Sequence, residues 1–150
     1  MYSDQYLARL SNAFWNTTFR SELMASAQVW QTFWKHSDVK IDGDPSVQEC
    51  LRFDLFQLNQ SAGRDNFTSI PAKGLTGNGY GGHYFWDTEI FMLPFFVYTQ
   101  PKVAKELLMY RYHTLTIAKQ QSADFGLGKG SMYSWRTING YEASSYWPAG

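Results

Sequence analysis

"PKVAKELLMYRYHTLTIAKQQSA", residues 101 to 123, decides how this chain folds. Ala104, Leu107, Leu108, Leu115 and Ala118 recur at the spacing that gathers side chains on one face of a 3.6-residue repeat. Pro101 stands where a helix accepts proline, because the first N–H groups of a helix have no intrahelical acceptor. The spacing predicts a helix from 101 to about 123, with Arg111 in the middle of its apolar stripe. Upstream, "FWDTEIFMLPFFVY" (85–98) predicts a second helix, which Pro94 kinks by removing a backbone donor. Further back, "SDVKIDGDPS" (37–46) reads as a turn, and Pro45 opens a helix from 45 to about 60. There Val47, Cys50, Leu51 and Leu58 share a face, with Asp54 inside the stripe. Residues 2 to about 35 contain neither proline nor glycine and set Trp30, Phe33 and Trp34 on one face, which predicts one or two further helices. No segment alternates with period two over strand-favouring residues, so the predicted fold class is all-α.

Asp54 and Arg111 lie within apolar stripes, and burying a lone charge is costly. The expectation is that they pair with each other or with local polar groups, as architecture rather than chemistry.

Composition narrows the function. The 150 residues are 44% hydrophobic and 18% aromatic, in the range of a single globular domain. Thirteen basic and thirteen acidic residues cancel, which leaves no electrostatic footprint for nucleic acid or an anionic membrane. The single Cys50 cannot form an internal disulfide, and no basic start precedes an apolar N-terminal run, so the chain is read as cytoplasmic. The sequons at Asn16, Asn59 and Asn66 are read as chance matches in that compartment. The longest apolar run, "IFMLPFFVY" (90–98), is too short to span a bilayer.

Between the predicted helices lie the polar "NQSAGRDNFTSIPAK" (59–73) and five glycines from Gly74 to Gly82. A loop of that length inside a domain is functional or disordered, and the aromatic residues after it argue for function. "GNGYGG" (77–82) matches G-x-G-x-x-G, yet no apolar strand precedes it, so it is not read as a dinucleotide site. The plainer reading is that the glycines permit positive φ and tight turns. His36, His83 and His113 are dispersed and no paired-cysteine or H-E-x-x-H spacing occurs, so no metal is expected. His83 is a candidate ligand contact, against the commoner role of a hydrogen-bonded structural histidine.

Trp86 and Asp87 carry most weight. A sugar offers apolar C–H faces and a rim of hydroxyls, so its site needs an aromatic plate beside groups that accept and donate hydrogen bonds. "HYFWDTE" (83–89) supplies both. The competing reading packs Trp86 in the core and uses Asp87 as a helix cap before "TEIF". "YSWRTINGYEASSYWPAG" (133–150) repeats the chemistry with Trp135, Arg136, Asn139, Tyr141, Glu142, Tyr146 and Trp147.

"SIPAKGLTGNGYGGHYFWDTEIFMLPFFVYTQP" (69–101), "LLMYRYHTL" (107–115) and the 133–150 stretch together resemble the central region of glycoside hydrolase family 65, the inverting α-glucoside phosphorylases of maltose, trehalose, kojibiose or nigerose. The resemblance runs from about residue 30 to 150. It implies an (α/α)6 barrel, of which residues 41–150 form the truncated N-terminal part and 1–40 the helical linker and start of the catalytic domain. Twelve helices of about 12 residues need more chain than this, so the expectation is roughly the first third of a barrel. The resemblance also implies that Trp86 and Asp87 hold the glucosyl unit and that Trp135, Arg136 and Glu142 lie toward the acceptor sugar. It implies a disaccharide and inorganic phosphate as substrates, no cofactor, and a homodimeric full-length parent. The general-acid glutamate and the phosphate-binding residues of the family fall beyond residue 150, so neither Glu89 nor Glu142 is assigned that role and the isolated chain is expected to be inactive. "WRTINGYEAS" (135–144) leans toward the trehalose-type members. The alternatives are an α-glucoside hydrolase of the same family and a non-catalytic helical carbohydrate-binding module.

Overall fold

The computed structural model describes residues 4–144, which fall into two units divided between Asp38 and Val39. The first holds helices α1 (Asp4–Trp15) and α2 (Phe19–Ser37). Residues 16–18 separate them, so the stretch without proline or glycine is two helices. The break is chemical: the Ser21 N–H donates to the Thr18 hydroxyl at 3.1 Å and the Thr18 N–H to the Ser21 hydroxyl at 2.9 Å. This reciprocal box satisfies two donors that a starting helix would otherwise leave unpaired. On α2 the rings of Trp30, Phe33 and Trp34 meet as the sequence spacing predicts, with centroids 4.7–6.2 Å apart.

The second unit carries α3 (Pro45–Ser61), a 3-10 turn (Gly79–Gly82), β1 (Tyr84–Phe85), α4 (Thr88–Phe91), α5 (Leu93–Thr99), α6 (Pro101–Asp124) and β2 (Arg136–Thr137). Among the described residues its architecture is all-α but for one two-stranded antiparallel ribbon, in which Tyr84 faces Thr137 and Phe85 faces Arg136. Asp44 caps α3 by accepting from the Ser46 N–H at 2.9 Å, and Pro45 follows at the first turn. The predicted 85–98 helix is corrected here. Phe85 belongs to β1, and the helical part breaks at Met92 so that Pro94 sits in the first turn of α5, where its missing N–H costs nothing.

The core of this unit gathers Ala62, Ile70, Leu93, Phe96, Val103, Ala104 and Leu107, with Leu58, Met92 and Phe95 packed against it. The long α6 therefore lies on α5 and on the loop after α3. Leu108, expected on the buried face of α6, is exposed instead. On α3 the buried line runs through Leu55 and Asn59 to Ala62, about one position round from the predicted stripe, which leaves Val47, Cys50 and Asp54 exposed. Asp54 accordingly does not pair with Arg111. Among the described residues, no helix is long and apolar enough to cross a membrane, and no group of three His, Cys, Asp or Glu side chains could hold a metal ion.

Candidate functional site

The loop between α3 and β1 has internal order. One carboxylate oxygen of Asp65 accepts from the N–H groups of Phe67 and Thr68 and from the Thr68 hydroxyl, all within 2.9 Å. The Arg64 guanidinium donates to the Ala62 and Asn59 carbonyls and to the Asn59 side chain. Farther along, Tyr80, Gly81 and Gly82 all take φ between 59° and 75°. Two glycines in the left-handed region let the chain reverse here at little cost, and His83 leaves the turn with its Nδ1 donating to the Tyr80 carbonyl at 2.6 Å. That bond occupies Nδ1, so Nε2 is the ring nitrogen left for a ligand.

From this turn β1 runs into Trp86, whose N–H donates to the Trp135 carbonyl at 2.9 Å and continues the ribbon by one residue. The Trp86 indole stacks on Tyr133 with centroids 4.9 Å apart and 22° between planes. Burial pushes the Tyr133 hydroxyl above its usual pKa, and the Glu89 charge adds to this while Arg111 opposes it. Asp87 occupies the N-cap position of α4, but its carboxylate makes no cap bond; its backbone carbonyl accepts from the Ile90 and Phe91 N–H groups at 3.0 Å. Capping thus does not account for the side chain. Trp86 and Asp87 are both half-buried, and among the described residues no donor pairs with the Asp87 carboxylate.

Beneath this turn lies Arg111, only 5% exposed. Its Nε donates to Glu89 Oε1 at 2.6 Å and its Nη2 to the Phe85 carbonyl at 3.2 Å. Its guanidinium carbon is also 4.9 Å from the centre of the Trp86 ring, within cation–π range. Arg111 was legible as a buried charge. Its partner was not, since Glu89 is on a short helix that no periodicity announces.

The later loop is held by α6. Gln121, which the sequence reading did not single out, is buried; its amide donates to the Ser134 hydroxyl at 3.0 Å and its oxygen accepts from the Glu142 N–H at 2.9 Å. The Ser134 hydroxyl in turn donates to the Gly140 carbonyl at 2.6 Å. Gly140 has φ +102°, and a Cβ there would come within 2.9 Å of the Thr114 side chain, so only glycine lets the loop approach α6 this closely. The Glu142 carboxylate accepts from the N–H groups of Trp135, Arg136 and Ser144. With about four lone-pair sites on a carboxylate, it retains roughly one for a ligand. Glu89 and Glu142 are therefore both engaged by the protein itself.

Arg136 reaches back across the ribbon. Its Nη2 lies 3.4 Å from the Tyr80 carbonyl and 3.5 Å from His83 Nδ1, and its Nε is buried with no hydrogen-bond partner among the described residues. The Trp135 ring is half exposed and edge-on to Phe85 at 6.3 Å. The ribbon thus brings His83, Trp86 and Asp87 next to Trp135, Arg136 and Glu142, although the two groups are about a third of the chain apart. Asn139 and Tyr141 are exposed at the loop tip, and Tyr146 and Trp147 lie outside the described residues. A cavity of about 310 Å³ lies elsewhere, between the end of α3 and the following loop, lined by Gln57, Ser61, Ile70, Lys73 and Met92 among others.

Residues 52–149 match the family model of the glycosyl hydrolase family 65 central catalytic domain. An alpha,alpha-trehalose phosphorylase from Geobacillus stearothermophilus is 57% identical over 118 residues, which is 79% of this chain and 15% of that protein. A kojibiose phosphorylase from Thermoanaerobacter brockii is 46% identical over 128 residues, 84% of this chain and 16% of that protein. A solved structure provisionally described as a kojibiose phosphorylase from human microbiome superposes with a TM-score of 0.84 at 38% identity, covering 96% of this chain and 19% of that one. The chain spans less than a fifth of the length of each of these proteins.

Proposed function

We propose, from the premise that this chain belongs to glycosyl hydrolase family 65, that it forms part of an α-glucosyl disaccharide phosphorylase and supplies the surface that grips the glucosyl unit. Residues 41–150 are the first helices of an (α/α)6 barrel, and residues 1–40 the helical linker and the start of that domain. The observation that carries the reading is Asp87, a half-buried residue whose carboxylate has no partner among the described residues, beside an indole already backed by Tyr133. A carboxylate with no protein donor keeps its acceptor sites for a ligand, and two adjacent sugar hydroxyls fill them while the hexose C–H face lies on the ring.

The reaction is phosphorolysis with inversion. A carboxylic acid protonates the glycosidic oxygen while phosphate attacks the anomeric carbon from the opposite face, giving β-glucose 1-phosphate and glucose. An inverting hydrolase needs a second carboxylate to activate water; phosphate is already nucleophilic, so one acid suffices. That acid is neither Glu89, bound to Arg111, nor Glu142, bound to three backbone N–H groups. Trp135, Arg136 and Glu142 face the acceptor sugar, with the buried Arg136 Nε as a donor that has no partner among the described residues, and His83 is a further ligand contact. Trehalose is the favoured disaccharide, supported by the higher identity to a trehalose phosphorylase than to a kojibiose phosphorylase. The parent enzyme is a cytoplasmic homodimer that uses no cofactor.

Calorimetric titration with glucose and with trehalose tests the site. Wild type is expected to bind, and Trp86→Ala or Asp87→Ala to weaken binding by about tenfold or more, roughly 1.4 kcal/mol each. Equal affinity in all three proteins would end the assignment.

A further inference from the structure

Arg111 touches the glucosyl-gripping turn at three separate points. Its Nη2 holds the carbonyl of Phe85, its guanidinium lies against the Trp86 ring, and its Nε is fixed by Glu89, two residues beyond Asp87. These contacts bracket the Trp86–Asp87 pair on both sides along the chain. They reach it from α6, a long helix packed through Val103, Ala104 and Leu107 into the core. The Trp86 N–H bond to the Trp135 carbonyl and the stack on Tyr133 hold the turn from the side of the later loop; from its own side α4 offers a single turn, and the Asp87 side chain forms no cap bond. An arginine presents its donors in a rigid planar fork, so one side chain fixes the carbonyl, the ring and the carboxylate at once, which the point charge of a lysine does not do.

We infer that Arg111, clamped by Glu89, is a positioning residue that sets the orientation of the Trp86 indole and the Asp87 carboxylate for the glucosyl unit. It does not touch sugar. Glu89 has two effects: it neutralises a buried cation and, by saturating the Nε edge, it holds the guanidinium in the plane that meets Trp86. The inference rests on the glucosyl-site reading given above, but it makes a claim about Trp86 that can be read without any sugar.

The test uses the 15N-labelled chain, with the Trp86 indole N–H resonance identified by its disappearance in Trp86→Phe. Arg111→Lys keeps the charge and the ion pair with Glu89, so the helix content of the chain should be retained. Glu89→Gln is the second variant and keeps an acceptor at Oε1. Both are expected to shift and broaden the Trp86 indole resonance while leaving the resonances of Trp30 and Trp34 in place. Each should also weaken glucose binding, followed by the same spectra, by at least about tenfold, and Glu89→Asp should recover part of that loss. A purely structural role would lower the melting temperature without moving the Trp86 signal. An unchanged Trp86 resonance with wild-type glucose affinity in folded Arg111→Lys would overturn the inference. If glucose fails to perturb the wild-type spectrum, the site reading falls, and the sugar-free Trp86 resonance alone decides whether Arg111 positions the ring.

Discussion

Asp87 and Glu89 are neighbours in sequence with opposite situations, and the difference defines what each can do. Glu89 and Arg111 have side chains only 13% and 7% exposed, and they meet at 2.6 Å. Removing one partner of such a pair strands a charge in a medium that solvates it poorly, at a cost of about 3–5 kcal/mol. Glu89→Ala should therefore lower the unfolding free energy by about that amount, while the double change with Arg111→Leu should recover much of it because no charge is left behind. Asp54→Ala is the internal control: the side chain is exposed, and the change is expected within about 0.5 kcal/mol of wild type. Urea denaturation of the four proteins measures all of this. A cost for Asp54→Ala as large as that for Glu89→Ala would contradict the pairing described here.

At the scale of elements, the sequence displayed its helices far more clearly than what joins them. The ends of α3 and α6 fall within a residue or so of the boundaries read from Pro45, Pro101 and the periodicity, because prolines and helical stripes are local signals. The ribbon of β1 and β2 was invisible: two residues per strand carry no alternation, and the pairing joins Tyr84 to Thr137 across α6. Trp86, Asp87, Trp135 and Arg136 were picked out for their chemistry, yet only this non-local pairing brings them together. Gln121 escaped notice for the same reason, since its role lies in the loop that folds back on it. The loop also depends on Tyr110, whose hydroxyl donates to the Ile138 carbonyl at 3.0 Å. Burial raises the Tyr110 pKa above its usual value, with the Arg111 charge opposing and Tyr84 and Glu89 adding to the rise. A folded-state pKa above the unfolded one gives stability that is fully present below the unfolded value of about 10 and is lost as pH climbs through the folded value. Wild type should therefore lose stability above about pH 10 more steeply than Tyr110→Phe. Parallel slopes for the two proteins in alkaline melting curves would show that Tyr110 is not the group responsible.

For the molecule as a whole, the informative feature is the apolar surface left open outside the core. Phe91 is 77% and Tyr98 87% exposed, and Ile90 and Val97 beside them are also uncovered, so the outer sides of α4 and α5 are almost wholly apolar or aromatic. Leu108 and Tyr112 add an uncovered pair at i and i+4 on α6. Soluble monomers rarely leave large contiguous apolar areas facing water, and such areas mark surfaces made to be covered. In the proposed barrel each helix lies between neighbours of the ring, which covers these faces and explains why Leu108 belongs to an apolar stripe without lying in this core. The consequence is measurable on the chain alone. It should bind a hydrophobic dye such as anilinonaphthalene sulfonate and self-associate as its concentration rises, read by sedimentation velocity. Replacing Phe91 and Tyr98 together by serine should reduce both effects, while the melting temperature stays nearly unchanged because neither side chain is packed. A chain that sediments as a monomer at high concentration and leaves the dye dark would mean that these faces are compatible with water, and the barrel assignment would then lose its physical support at the helices that should carry it.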